Sequence, residues 1–171
     1  MKGYVEMENT RRYQAVIMAG GKGTRLTSIT KDEIPKPMVS VLGKPLLAWQ
    51  VEKLRENGIT DICFVIGHLG KKIQEYFGDG RSFGIKASYI EEKEPLGTAG
   101  VFYYLKDLIK KEGFYIIFGD VIFDVDLSRM EMFHKEHRAK ATLFVHPNSH
   151  PFDSDIVELN ENGRVIDLDY K

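Results

Sequence analysis

The chain has 171 residues, of which 43% are hydrophobic and 29% charged, enough apolar material for one substantial core and most simply one domain. A formal net charge of -1 argues against a nucleic-acid footprint spread over the surface, and no apolar segment approaches the length of a membrane span, so neither nucleic acid nor membrane is expected as a partner. The single cysteine, Cys63, excludes an internal disulfide, and with no signal peptide at the start of the chain the expected location is the cytoplasm.

Residues 1–12, rich in Glu, Lys, Arg and Asn, read as a surface extension, and residues 13–171 as the domain. The apolar run from Tyr13 to Met18 predicts a buried strand, and a glycine-rich run, Ala19-Gly20-Gly21-Lys22-Gly23-Thr24-Arg25-Leu26, falls where that strand ends. Leu47, Val51 and Leu54 form a helical stripe that Asn57-Gly58 stops. Asp61 to Ile66 predicts a second strand, and Cys63 inside it fits a buried structural thiol better than a nucleophile. Lys86 to Ile90 predicts a third strand, and Val101, Tyr104, Leu105 and Leu108 a second helical stripe. Tyr115 to Phe118 and Ala141 to Val145 complete the strands. Between them Ser128 and Glu131 have the spacing of a capping box, which places a helix start just after Asp126. Trp49 and the aromatics near Phe102 read as core rather than as cofactor contacts. Strands alternating with amphipathic helices predict an α/β fold with a mostly parallel sheet covered on both faces, a Rossmann-like α/β/α arrangement in three layers.

The chemistry concentrates at strand ends. A glycine loop presents peptide N–H groups to an anion, because glycine permits both the backbone angles and the close approach. A Walker A loop needs Ser or Thr after Gly-Lys, where Gly23 follows Lys22, and a dinucleotide fingerprint needs Gly or Ala where Leu26 stands. The loop therefore reads as a polyphosphate cradle of another kind, and a strand-to-helix turn with solvated charges fits the same residues. Pro35 and Pro37 stiffen the backbone around Lys36, as a lysine meeting a phosphate at a fixed place requires. Asp120 follows the strand ending at Phe118, at the sheet edge where open α/β folds hold ligands, and its carboxylate is suited to Mg²⁺. A turn cap also explains Asp120. Asp124 and Asp126 are weaker candidates, since helix entry accounts for Asp126.

Ala19 to Leu26, Pro35-Lys36-Pro37-Met38, Glu94-Pro95-Leu96-Gly97-Thr98-Ala99-Gly100 and Phe118-Gly119-Asp120, in this order and spacing, resemble the sugar-1-phosphate nucleotidylyltransferases, from about Tyr13 to the last residue. The resemblance implies a fold of the nucleotide-diphospho-sugar transferase type, with residues 13–171 as its N-terminal, nucleotide-binding portion. It also implies a reaction, in which a sugar 1-phosphate oxygen attacks the α-phosphorus of a nucleoside triphosphate to give a nucleotide sugar and pyrophosphate. Ala19, Gly20, Gly21, Lys22, Gly23 and Thr24 would hold the triphosphate, together with Pro95, Gly97 and Thr98 of the third motif. Arg25 would stabilise the departing pyrophosphate, Lys36 would steady oxygens near the attacked phosphorus, and Asp120 would hold Mg²⁺. Such a displacement depends on alignment and charge neutralisation. Because a sugar phosphate is already an anion, no general base is needed, and His68, His134, His137, His146 and His150 are given no catalytic role.

Family members that read thymine or uracil tend to carry an amide where this chain is similar in position at Glu92. A carboxylate only accepts, and guanine offers two adjacent donors, which favours GTP. A solvated acidic bend of Glu91, Glu92 and Glu94 fits the same residues. The segment from His146 to Asp155 resembles guanylyltransferases acting on D-glycero-D-manno-heptose 1-phosphate, which feed lipopolysaccharide or capsule assembly, with mannose 1-phosphate the second choice. Ordinary turn formation explains that segment too. Lys171 resembles the lysine of a Glu-Lys-Pro element that contacts the sugar phosphate, so the resemblance implies a domain incomplete at its C-terminus, with a second metal-binding aspartate expected further on. Two function classes fit: an active guanylyltransferase, and a catalytically incomplete nucleotide-binding module with a regulatory or scaffolding role. A homo-oligomer is compatible with both.

Overall fold

The structure is a computed structural model that describes residues 13–21, 33–92, 97–109, 112–147 and 155–169. The chain forms two compact units, Met1–Val125 and Asp126–Lys171. In chain order, the first unit begins with β1 (Tyr13–Ala19), a 3₁₀ turn (Lys36–Met38) and a small antiparallel ladder of β2 (Ser40–Val41) and β3 (Lys44–Pro45). It continues through α1 (Leu46–Glu56), β4 (Asp61–Ile66), α2 (Gly70–Phe77), β5 (Lys86–Glu91), α3 (Gly97–Leu108) and β6 (Gly113–Phe118). The four long strands make one parallel sheet in the order β5-β4-β1-β6.

Parallel strands cannot be joined by tight turns, so each needs a crossover, and helices that cross over a sheet bury both of its faces. The sequence of β1 and β4 fits that situation. Ala15, Val16 and Ile17 are buried in succession, as are Ile62, Cys63, Phe64 and Val65, where a half-exposed strand would alternate apolar with polar. On one face Val16, Cys63, Val65 and Ile90 pack with Val101 and Leu105 of α3. On the other, Phe64 stacks on Phe77 of α2 with ring centroids 5.0 Å apart and on Tyr89 of β5 at 5.5 Å. This is the expected three-layer α/β/α arrangement. Burial pushes the Cys63 thiol up, which suits a packed side chain and not a nucleophile.

Helix α1 follows the expected stripe, with Leu47, Val51 and Leu54 all buried. It stops at Asn57-Gly58 because Gly58 takes a left-handed φ of 74°, which lets its N–H reach Arg55 O at 2.7 Å and turns the chain toward Ile59. The aromatics depart from expectation. Only Val101 and Leu105 of the α3 stripe are buried, whereas Phe102, Tyr103 and Tyr104 are 45%, 68% and 48% exposed and Leu108 is also exposed. The two buried residues are four apart and face the sheet squarely, and their neighbours around the helix fall to its margin. Trp49 is only half buried. Its indole N–H donates to Val41 O at 2.8 Å and the Lys44 ammonium lies 3.4 Å from the ring centroid, so it fastens the β2-β3 ladder to α1.

The second unit contains α4 (Leu127–Glu136) and an antiparallel hairpin of β7 (Ile156–Leu159) and β8 (Val165–Asp169). The helix starts where expected, but its cap is Asp126 and not Ser128. The Asp126 carboxylate accepts from the N–H groups of Ser128 and Arg129 at 3.0 and 3.1 Å. Glu131, free of capping duty, pairs with Lys135 one turn on. The expected strand from Ala141 to Val145 is irregular, because no other described segment forms a ladder with it, and an apolar alternation without a partner is not a strand. Among the described residues no helix is long and apolar enough to cross a membrane.

The Phe64 stack carries a direct test. Phe64→Ala should lower unfolding stability by about 3–5 kcal/mol, and Phe102→Ala, on the exposed side of α3, by less than about 1 kcal/mol. Urea unfolding of the two variants measures this, and equal losses would contradict the packing.

Candidate active site

The order β5-β4-β1-β6 means that the chain leaves β1 toward one side of the sheet and returns to its other side. The reversal lies between β1 and β6, and in open parallel sheets the crevice at the carboxyl ends of such strands is where ligands sit. Register brings the strand ends level: Met18 pairs with Phe118, Ala19 with Ile66, and Ile66 with Glu91. The residues that follow each strand, Gly20, Gly67, Glu92 and Gly119, are thereby gathered along one edge.

Their backbones approach so closely that side chains are excluded. A Cβ built on Gly67 would fall 2.7 Å from Gly20 O and 3.2 Å from Gly20 Cα. One built on Gly119 would lie 3.0 Å from Met18 O, 3.1 Å from Pro37 Cγ and 3.4 Å from Ala19 Cα. The Gly119 N–H donates to Met18 O at 2.8 Å, extending the β1-β6 ladder one residue past β6. On the other flank the Glu92 N–H donates to Ile66 O at 2.8 Å, and the carboxylate folds over Gly20, where a Cβ would be 2.5 Å from Oε2. Glycine at position 20 is thus what lets an acidic side chain rest against the start of the loop.

Lys36 opens the 3₁₀ turn, which Pro35 enters in extended conformation and which closes with Met38 N–H donating to Pro35 O at 2.7 Å. Pro37 is buried against Gly119. The turn therefore sits against the end of β6, and the Lys36 ammonium meets Asp120 with Nζ 2.5 Å from Oδ2, both side chains about one-third exposed at 32% and 39%. Asp124 is engaged elsewhere: a hydrogen bond from Lys53 holds its carboxyl below the usual range. Asp126 is occupied as the α4 cap.

The structure thus brings together Ala19, Gly20, Gly21, Lys36, Glu92 and Asp120, and Gly97 and Thr98 form the first turn of α3. Lys22, Gly23, Thr24, Arg25, Pro95 and Lys171 lie outside the described residues, as does most of the segment from His146 to Asp155. Two contributors escaped the sequence reading. Gly67 had only its position just after an apolar run to mark it. Gln50 is a polar residue on the buried stripe of α1, between Leu47 and Leu54, and that misplacement was its signal. Its amide Nε2 donates to Phe118 O at 2.8 Å and to Val121 O, the carbonyls on either side of Gly119-Asp120.

Among the described residues no three His, Cys, Asp or Glu side chains gather into a metal cage. A single carboxylate at an open edge, with a lysine beside it, suits Mg²⁺ that takes its remaining ligands from water and phosphate oxygens. The close approach of strand ends is testable by substitution. Gly67→Ala should destabilise the fold by about 1–3 kcal/mol, because the new methyl meets backbone that cannot yield. Gly21→Ala, with nothing within 4 Å of the added carbon, should change stability by less than about 0.5 kcal/mol. Denaturation midpoints that shift equally would contradict this geometry.

The nucleotidyl transferase family matches residues 14–171. The chain is 44% identical over 119 residues to a D-glycero-alpha-D-manno-heptose 1-phosphate guanylyltransferase from Campylobacter jejuni, covering 70% of this chain and 52% of the relative. It is 32% identical over 171 residues to a UTP–glucose-1-phosphate uridylyltransferase from Synechocystis, covering 92% of this chain and 44% of the relative. A crystal structure of HddC from Yersinia pseudotuberculosis complexed with GMP-PN superposes with a TM-score of 0.72 at 26% identity, covering 93% of this chain and 69% of that one. The chain spans about half the length of the curated relatives it matches. With the parallel sheet and its edge as described, the chain belongs to the nucleotidyl transferase family, among the sugar-1-phosphate nucleotidylyltransferases.

Proposed function

We propose that this chain carries the nucleotide-binding side of a guanylyltransferase that joins GTP to a heptose or mannose 1-phosphate, releasing pyrophosphate. The observation that supports it most is the Lys36–Asp120 pair, set at the reversal point of the sheet beside the glycine end of β1. Peptide N–H groups from Gly20 onward would hold the triphosphate, with Ala19, Lys22, Gly23 and Thr24 completing the cradle and Pro95, Gly97 and Thr98 bordering the nucleoside.

The transfer follows from charge and alignment. A phosphate oxygen of the sugar 1-phosphate forms a bond to the α-phosphorus, and the bond from that phosphorus to the oxygen bridging toward the β-phosphate breaks. Pyrophosphate leaves with the electron pair, so no proton has to move. Lys36 would meet oxygens around the attacked phosphorus, Arg25 would neutralise the leaving pyrophosphate, and Lys171 would contact the sugar phosphate. When bound, Mg²⁺ would supply further neutralisation of phosphate charge, and Asp120 is the residue here that would hold it.

Glu92 supports guanine. Its carboxylate rests over Gly20 at the mouth of the loop, and an acceptor there pairs with the N1–H and 2-amino donors of guanine, whereas the thymine or uracil edge presents acceptors beside a single donor. The sugar assignment draws on the likeness of the His146 to Asp155 segment and on the Campylobacter relative. Pyrophosphate release with each triphosphate tests the reading. GTP should exceed UTP and dTTP in kcat/KM by about tenfold or more, and Glu92→Gln should remove most of that preference. Faster turnover with UTP or dTTP would overturn the guanine reading, and nucleotide binding without any pyrophosphate release would overturn the transferase reading for this chain.

A further inference from the structure

We infer that Gln50 is a positioning residue for Asp120, an inference that rests on the reading of Asp120 given above. Gln50 stands on the buried face of α1 and is 2% exposed, in a position whose neighbours on the stripe, Leu47, Val51 and Leu54, are all apolar. A side chain there that merely filled space would be better served by leucine or methionine, because a buried amide must satisfy its polar atoms or lose stability. Gln50 does so only in part: its Oε1 is buried without a hydrogen-bond partner among the described residues. The amide nitrogen Nε2, by contrast, donates to two carbonyls, Phe118 O at 2.8 Å and Val121 O. Those partners are carbonyls, so the amide has one workable orientation, since a flipped Oε1 would face two acceptors.

The two carbonyls bracket Gly119-Asp120, and among the described residues few other hydrogen bonds close that turn. Val121 N–H reaches Phe118 O at a long 3.3 Å, and Gly119 N–H is committed to Met18 O. One turn further along α1, Lys53 pairs with Asp124. Helix α1 thus holds the chain leaving β6 at Phe118 and Val121 through Gln50 and at Asp124 through Lys53, and Asp120 lies between the two residues that Gln50 holds. The Asp120 carboxylate itself pairs with Lys36 on its proline-stiffened turn, so α1 acts on Asp120 through the backbone on either side of it.

Three variants separate the alternatives. Gln50→Glu keeps the length but sets an acceptor against two carbonyls, Gln50→Leu keeps an apolar fill without donors, and Asp120→Asn removes the carboxylate charge. Two readouts are taken on the whole chain below its thermal transition: deuterium exchange in peptides spanning residues 118–122, and Mn²⁺ affinity in the presence of GTP by electron paramagnetic resonance. Both Gln50 variants should raise exchange in the turn about tenfold and weaken Mn²⁺ about tenfold, while GTP affinity without metal stays within about twofold. Unchanged exchange in a folded Gln50→Leu variant overturns the inference. So does Mn²⁺ affinity that Asp120→Asn lowers and neither Gln50 variant affects. If Asp120→Asn leaves Mn²⁺ affinity unchanged, the reading of Asp120 is what fails, and the exchange result still judges the Gln50 grip by itself.

Discussion

At the carboxyl edge of the sheet, neighbouring backbones run within van der Waals contact with no room for a Cβ between them. Gly67 lies against Gly20, and Gly119 against Met18 and Ala19. This approach is possible only because the strands are parallel and in register, so that their ends are level, and only because glycine stands at each contact. Everything proposed for the site inherits its position from that edge. Glu92 can fold over Gly20 because there is no side chain to displace it, and Pro37 can seat the Lys36 turn because Gly119 leaves the space.

The charges at this edge do little for stability. An ion pair as exposed as Lys36–Asp120 is worth about 0–1 kcal/mol. Lys53–Asp124 and Lys44–Glu52 are solvent-screened surface pairs that add little. Stability resides in the two faces of the sheet, in the Phe64 stack on one side and the Val16, Cys63, Val65 and Leu105 packing on the other. The site is then a set of polar groups carried on rigid elements, an arrangement that suits a reaction governed by alignment and charge.

Much of this was readable in the amino-acid order. Strands β1 and β4 announce themselves as apolar runs because both of their faces are buried, β6 is an apolar run although as an edge strand it is only half-buried, and Ala19-Gly20-Gly21 and Asp120 are legible because they stand where those runs stop. What escaped depends on distant partners. Gln50 reaches carbonyls 68 and 71 residues away, so only its place on an apolar stripe hinted at a role. Gly67 is one glycine after one strand, and its contact with Gly20 emerges from register alone. Helix α2 is short and buries little besides Ile73 and Phe77, too few positions to establish a period. Asp126 and Ser128 were both plausible caps, and the choice turned on which side chain could accept two N–H groups at once. The segment from Ala141 to Val145 has strand composition, but pairing, not composition, makes a strand.

Nucleotide and metal are proposed to meet at this one edge, between Glu92 on the β5 side and Asp120 on the β6 side. The most direct measurement is an anomalous difference map from crystals grown with Mn²⁺ and a non-hydrolysable GTP analogue. The expected result is a manganese peak about 2.1 Å from an Asp120 carboxylate oxygen, the triphosphate along Gly20-Gly21, and the guanine edge facing Glu92. A nucleotide bound elsewhere on the chain, or manganese held away from Asp120, would contradict it.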